Sequence, residues 1–524
     1  MERKSGLSSG KIAVTVTGLC LGLLMSALDT TIVGTAMPKI TTDLSGLALY
    51  SWPFTAYLIC STVATLLFGR LSDSWGRRRV FIGALAWFMA TSALCGAARG
   101  MAAFVAFRGL QGLGGGVIIS TAFAIVGGAF PPRERAKHMG LLGAMFGIAS
   151  IVGPTMGGII ADSLGWRWIF YMNLPLGAAA IVALIIGLSG HAEESRAARI
   201  DWAGIALFML SVLPLLLGLS LGGKRHAWDS LPILGLLALA IAAGFALVFV
   251  EKRKDAAEAI LPIAFFRERE YAVAAAGSFL SNAVFYSGIL LFPLYLQRVL
   301  RSTATGSGLS TTPLVLAYTI ASLVAGQMVS RSGKYRGLAI GSSILAAVAL
   351  VPLCVLDPSW GRLPVIAAML LLGLGLGATA PIFQVAAQDS ADPRSIGAAT
   401  SSIMFFRNLG STVGSAVYGA VMTGSLSGML ARFEWGQTPT ALKSALGDPQ
   451  VLMNSAAVDR IAAAAPPQYH SFIEDLIGRL DRCLAAALSS AFWAALAFAL
   501  AATGACLAFD RRAGQGEAAE ATRE

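Results

Sequence analysis

Fourteen stretches of the chain stay apolar for about 20 residues each, the length a helix needs to cross roughly 30 Å of hydrocarbon. They fall near 12–37, 49–69, 80–98, 101–128, 136–161, 166–189, 202–222, 230–250, 271–296, 307–329, 337–356, 363–386, 396–424 and 484–508. The two longest, 101–128 and 396–424, imply tilted helices or helix ends that leave the lipid. Composition agrees: 56% of the 524 residues are hydrophobic and 13% are charged, where a soluble domain carries about a quarter charged residues. The sequence therefore reads as an all-α polytopic membrane protein.

A formal net charge of +11 raises the question of a nucleic-acid partner, and the positions of the bases answer it. With the N-terminus inside, the short inside loops hold eighteen Lys and Arg residues, from Arg70 to Arg394, against eight in the short outside loops. A bias of this size in short loops sets orientation. Both termini are expected to face the cytoplasm, in a multi-pass cytoplasmic (inner) membrane protein with no nucleic-acid partner. The apolar run after Lys11 is longer than a signal-peptide core and lacks a small-residue cleavage pattern, so it is expected to be retained.

Sorting the charges this way leaves three deep in apolar spans: Asp29, Arg108 and Arg407. A charge in the bilayer is costly enough that an intramembrane ionisable residue is a functional hypothesis by default. The six cysteines show no metal or redox spacing and read as packing. The four histidines fall in loops, so proton chemistry within the membrane is not expected to use them. The stretch "GLSLGGKR" at 218–225 is one residue short of a phosphate-binding loop, but Arg225 stands where a Mg²⁺-binding Ser or Thr is required.

One internal repeat is visible. "GRLSDSWGRRR" begins at Gly69 after the second span, and "GQMVSRSGKYR" begins at Gly326 after the tenth. Gly69 matches Gly326, Gly76 matches Gly333, Arg77 matches Lys334 and Arg79 matches Arg336, while Asp73 gives way to Ser330. The chain accordingly divides into an N-terminal six-helix bundle (1–190) and an inserted helix pair with linkers (191–270). A C-terminal six-helix bundle (271–510), including a long outside segment at 425–483, and a cytoplasmic tail (511–524) follow. Two six-helix repeats around a central cavity are a transporter plan.

These features carry a resemblance. "GRLSDSWGRRR" is similar to the signature loop of the major facilitator superfamily, and "ALDTTIVGTAMP" (27–38) resembles the first-helix motif of its fourteen-helix drug:proton antiporters, departing at Gly34 and Met37. "FRGLQGLGGG" (107–116) resembles the fourth-helix motif of that family, and "GIASIVGPTMGG" (147–158) its fifth-helix antiporter motif, departing at Ala149. "GWRWIFYMNLP" also resembles this family at the start of the sixth helix. The resemblance implies a major facilitator fold and a role for the 69–79 loop as a latch between the halves in the outward-facing state. It also implies a proton-titrating acid at Asp29, and a kinked fifth helix (Gly147, Gly153, Pro154, Gly157, Gly158) that acts as a hinge or seal.

The residues themselves leave alternatives open. Loop 69–79 either pins topology by charge alone or forms the latch, with Gly69, Asp73, Gly76, Arg77 and Arg79 as its parts. The glycines at 109–116 lie in an apolar helix with no preceding strand, so close helix packing is preferred over a dinucleotide loop. Asp29 lies about 25 Å along the first helix and Arg108 about 10 Å along the fourth, which runs the opposite way, so the two share a level. They form either a static buried pair or a coupling site, with Gln111 one turn from Arg108 to orient either partner. Arg407 is expected near the inside end of its helix, snorkelling to the surface in a structural role. Phe54, Tyr57, Asn173, Phe279, Asn282, Phe285, Tyr286, Gln384 and Phe405 are candidates to line a cavity between the halves, against the alternative that they are core or lipid-facing.

The expected function is a proton-coupled multidrug efflux transporter that exports small hydrophobic or cationic compounds by alternating access. It would confer antibiotic resistance, work as a monomer among membrane lipids, and use protons as coupling ion with no other cofactor or metal. A dedicated exporter of a lipid, siderophore or metabolite on the same scaffold stays open. A membrane-embedded enzyme is disfavoured, since neither clustered acids for Mg²⁺ nor paired intramembrane catalytic residues appear.

Overall fold

The computed structural model describes residues 9–45, 49, 52–130, 132–187, 201–222, 226–253, 263–300, 304–356, 361–392, 395–436, 438–453, 458, 460–462 and 470–510. Among these, fourteen helical stretches are long and apolar enough to cross a membrane. In chain order the helices are α1 (Ser9–Asp43), α2 (Trp52–Trp75), α3 (Arg77–Gly96), α4 (Met101–Ala129) and α5 (Pro132–Ser163). The sixth span is broken into α6 (Arg167–Tyr171) and α7 (Asn173–Gly187). There follow α8 (Trp202–Leu221), α9 (Leu231–Glu251), α10 (Arg269–Leu294), α11 (Ala304–Ser332), α12 (Arg336–Leu350), α13 (Leu363–Asp389) and α14 (Ile396–Ala431). Two short helices, α15 (Thr440–Leu446) and α16 (Pro449–Met453), precede the last, α17 (His470–Leu507). Helices satisfy every backbone donor and acceptor within one segment, which lipid cannot do for them.

The segment at 425–483 is shorter than hydropathy suggests. Helix α14 continues to Ala431, and α17 begins at His470, fourteen residues before the apolar run. The added turns of α17 carry Glu474, Asp475, Arg479 and Asp481, which mask the span from a hydropathy count. Ile473, Leu476, Ile477 and Leu480 recur at helical spacing and are buried against the second-half core. Arg298, expected in an outside loop, is buried in a π-helical turn, Tyr295–Val299. Its Nη2 donates to Asp481 Oδ1 at 2.8 Å and its Nε to the Leu452 carbonyl at 2.7 Å, tying α16 and α17 together. The linker at 191–200 and the tail at 511–524 lie outside the described residues.

The inserted pair, α8 and α9, packs on itself and then against α2 and α14. Phe208 and Val212 of α8 join Val63 and Leu66 of α2 and Phe405 of α14 in one buried cluster, so the pair covers the seam between the two bundles. Phe405 is therefore core here: its ring sits edge-on to Phe208, 5.3 Å between centroids.

The two bundles, α1–α7 and α10–α14 with α17, meet asymmetrically. At the end that carries loop 69–79, called here the basic end, one apolar cluster runs through both, from Leu19, Phe81 and Met139 to Tyr271, Val385 and Ala399. Toward the other end the core divides. Ile32, Phe104 and Phe170 belong to a first-half cluster, and Phe292, Leu314 and Phe492 to a separate second-half one.

Candidate transport site

Helix α4 places Arg108 and Gln111 three residues apart on one face, toward α1. Arg108 Nη1 donates to Asp29 Oδ2 at 2.5 Å and to Gln111 Oε1 at 2.7 Å. Gln111 Nε2 in turn donates to Asp29 Oδ1 at 2.9 Å, which makes it the bridge of the pair rather than a neighbour of one member. The break between α6 and α7 brings Asn173 to the first position of α7, where its Nδ2 donates to the same Asp29 oxygen at 3.1 Å and to Ser92 Oγ at 3.0 Å. Every partner of Asp29 is thus a donor, and neither the acid nor Arg108 has any exposed side chain. The ring of Tyr57 lies under the guanidinium, 4.4 Å from its carbon, and its hydroxyl contacts Ser26 Oγ at 3.3 Å.

Two residues expected to line a cavity, Asn173 and Tyr57, therefore belong to the Asp29 network. Ser92 and Cys95 of α3 complete it, and their neutral side chains carried no signal in the sequence. The site is not fully paired: Arg108 Nε and Nη2 have no hydrogen-bond partner. A buried donor without a partner is costly, so this guanidinium is poised to accept a different arrangement.

At the basic end, Asp73 joins the bundles. Its Oδ1 accepts from Arg77 Nε at 3.1 Å and Nη2 at 2.8 Å, and its Oδ2 accepts from the backbone N–H of Ala398, in the first turn of α14, at 3.0 Å. A carboxylate there satisfies an orphan donor and meets the positive end of the helix dipole. Arg77 Nη1 also donates to the Ala124 carbonyl at 3.2 Å. Gly76 turns the chain into α3 at φ 91°, and its repeat partner Gly333 does the same at φ 66°, a conformation that favours glycine. Gly69 approaches so closely that a Cβ would overlap Ser401 of α14, while Gly326 meets the Ala136 carbonyl of α5 in the same way. The repeat is thus a pair of cross-bundle contacts, of which only the first carries an acid. Arg79 differs from its neighbours: it is exposed beside Trp75 and Trp87 on the outer face of α2–α4 and takes no part in the Asp73 cluster. Arg135 and Asp389 add an ion pair between the bundles at 3.4 Å.

The glycines of α5 divide by what they face. A Cβ on Gly153 would overlap Thr31 and one on Gly157 would overlap Thr35, both on α1 with Thr31 two residues from Asp29, and Thr31 Oγ1 donates to the Ala149 carbonyl at 3.1 Å. Gly147 faces Thr319 of α11 across the bundle interface. Gly158 faces open space, so close packing does not account for it. The Pro154 side chain lies outside the described residues.

The remaining lining candidates scatter. Phe54 packs against the first-half outer cluster, Phe279 is half-buried with its carbonyl against Gly410, and Tyr286 stands edge-on to Phe285. Asn282, Phe285 and Gln384 do share one pocket in the second bundle, together with Tyr318 and Arg407. Arg407 does not snorkel. It lies eleven residues into α14, about 16 Å from its start, and turns inward, 5.8 Å from the ring centroid of Phe146 on the first bundle.

The family model for the Major Facilitator Superfamily matches residues 19–415. The chain belongs to this superfamily. Among curated proteins it is 40% identical over 427 residues to "Multidrug transporter protein MdtP" of Bacillus subtilis (strain 168), covering 82% of this chain and 78% of that one. "Multidrug resistance protein 3" of the same organism is 34% identical over 452 residues, covering 86% and 88%. Solved structures of the superfamily share the fold: the human organic anion transporter MFSD10 aligns with a TM-score of 0.58 at 17% identity, covering 93% of this chain and 99% of that one. Membership in the Major Facilitator Superfamily makes this a multi-pass membrane transporter rather than an enzyme.

Proposed function

We propose that the chain is a proton-coupled multidrug exporter of the cytoplasmic membrane, with both termini cytoplasmic, working as a monomer by alternating access. Asp29 is its proton-carrying residue. The observation that carries this reading is a fully buried carboxylate in the first span whose partners are all donors, opposite an arginine with two unpartnered nitrogens. A proton arriving at Oδ1 must displace Gln111 or Asn173, while one arriving at Oδ2 cancels the charge that holds Arg108. That loosens α1 from α4 and α7, the kind of two-state change that coupling requires. The multidrug names of the relatives support efflux of varied small molecules, hydrophobic or cationic.

The joined core at the basic end and the divided core at the other suit the outward-facing state, in which Asp73 and the start of α14 hold the cytoplasmic end shut. Exchange then runs through this latch. A proton enters at Asp29 from outside and substrate leaves, and release of the Asp73–Ala398 contact lets the bundles rock inward. The test is proton release in proteoliposomes holding a pH gradient, with ethidium added to wild type and Asp29→Asn. Ethidium-driven proton movement in wild type but not in a folded mutant supports the reading. Equal movement in both would place coupling elsewhere. No movement in either removes drug–proton exchange and leaves export of a lipid, siderophore or metabolite as the leading function.

A further inference from the structure

The second bundle holds a polar pocket that the Asp29 network does not use. It is built from α10, α11, α13 and α14, and Arg407 is the charged group among its described lining residues. Arg407 Nε contacts Asn282 Oδ1 at 3.4 Å and Nη2 contacts the Tyr318 hydroxyl at 3.3 Å, both neutral and both long, while Asn282 Nδ2 donates to the Arg407 carbonyl at 2.7 Å. No carboxylate lines this pocket among the described residues. Arg108, the other arginine within a span, has Asp29 as counter-ion.

A second observation points the same way. Gln384 is 1% exposed and lines the pocket, yet neither its amide nitrogen nor its amide oxygen has a partner. Ser281, on the same wall, has an unpartnered hydroxyl. Buried polar groups are normally satisfied, so a site that leaves these open beside an unneutralised guanidinium is set up for an incoming group. The space is about 20 Å³, enough for one small group, and a negatively charged acceptor there would meet the Arg407 guanidinium, the Gln384 amide nitrogen and the Ser281 hydroxyl, with the Phe285 ring on the wall beside it.

We infer that this pocket is a substrate subsite for the carboxylate of amphipathic aromatic compounds, so that zwitterionic drugs are exported along with simple cations. The inference rests on the drug-export reading above and extends its substrate class. Arg407 faces Phe146 of the first bundle, so a carboxylate held here lies at the interface that opens and closes.

The test uses rhodamine B, a zwitterion with a free aromatic carboxylate, and its ethyl ester, a cation with the same ring system. Both are titrated by fluorescence anisotropy into the purified full chain in nanodiscs. Wild type should bind rhodamine B more tightly than the ester, and Arg407→Gln should weaken rhodamine B by about ten-fold or more while moving the ester less than about two-fold. Arg407→Lys should recover part of the preference. Gln384→Leu keeps the arginine and should shift rhodamine B in the same direction by a smaller factor, which serves if Arg407→Gln fails to fold. Equal weakening of both dyes, or wild type that binds rhodamine B no better than the ester, overturns the inference. Proton release driven by the ester reports separately on the export reading: if it persists and depends on Asp29 while the carboxylate preference is absent, the subsite fails and the exporter stands.

Discussion

Asp73 and Ala398 are 325 residues apart in sequence, and the carboxylate of one accepts the backbone N–H of the other at 3.0 Å. With Arg77 on its second oxygen, Asp73 is at once the end of a first-bundle ion pair and the cap of a second-bundle helix. In the proposed cycle this contact breaks when the basic end opens. Asp73→Asn removes a charge-assisted hydrogen bond of about 2 kcal/mol, equivalent to a shift of roughly 30-fold in the balance between the two end states. Spin labels placed across the basic end should therefore report longer distances in the variant, with little change in melting temperature. An unchanged distance distribution removes the latch.

Asp29 and Arg108 make a different prediction, because both are fully buried. Neutralising one member strands the other, so Asp29→Asn or Arg108→Gln should each cost about 3–5 kcal/mol of stability in detergent. The double variant should cost clearly less than the sum of the two. Thermal unfolding of the four proteins gives the interaction energy directly, and additivity would contradict the geometry described here.

These two sites differ in how readily a sequence reveals them. Asp29 and Arg108 stand out because each is a charge in an apolar run. Asn173 and Ser92 do not, since a neutral polar side chain in a span is unremarkable until the break at Met172 fixes where α7 begins. Arg407 is eleven residues from 396, where both the apolar run and α14 begin, so depth alone does not separate snorkelling from burial; the direction of the side chain, toward Phe146 of the first bundle, is what only the packing fixes. The N-terminal turns of α17 are hidden for the opposite reason: their charges occupy one helix face while an apolar stripe occupies the other.

The glycines of α5 separate a packing requirement from mere composition. Gly153→Ala drives a methyl group into Thr31, two residues from Asp29, and should lower transport sharply. Gly158→Ala meets nothing within 4 Å and should leave transport near wild type. Ethidium efflux from cells expressing equal amounts of each variant distinguishes them, and equal sensitivity at both positions would mean that the helix needs glycine for bending rather than for contact.

At the C-terminal end of α1, the Trp166 indole N–H and the Arg167 guanidinium both donate to Asp43 and hold its carboxyl below the usual range. A depressed folded-state value means that the contact stabilises above the unfolded value, near pH 4, and is lost as pH falls through the folded one. The group is exposed and the effect small. The melting-temperature difference between wild type and Asp43→Asn should be constant well above the unfolded value and shrink toward zero as the pH falls through the depressed folded one. A difference that grows on acidification has the wrong sign for this contact.

Arg298 closes the end of the second bundle opposite the basic end from within, since its guanidinium is buried between Asp481 and the Leu452 carbonyl. Arg298→Ala takes the guanidinium away from the buried Asp481 carboxylate and opens the Leu452 carbonyl, a loss of up to about 3–5 kcal/mol. Replacing both members, as Arg298→Met with Asp481→Leu, should recover much of that, because an apolar pair of similar size carries no desolvation cost. The single variant should also free α15 and α16 from α17, so limited trypsin digestion should cut faster at Lys443, which is already exposed. Faster cutting in the single variant and wild-type rates in the double one are the expected pattern. If both cut at the wild-type rate, the segment is held by its apolar contacts, such as Leu446 and Leu452 with Ile473, and the buried ion pair is incidental to it.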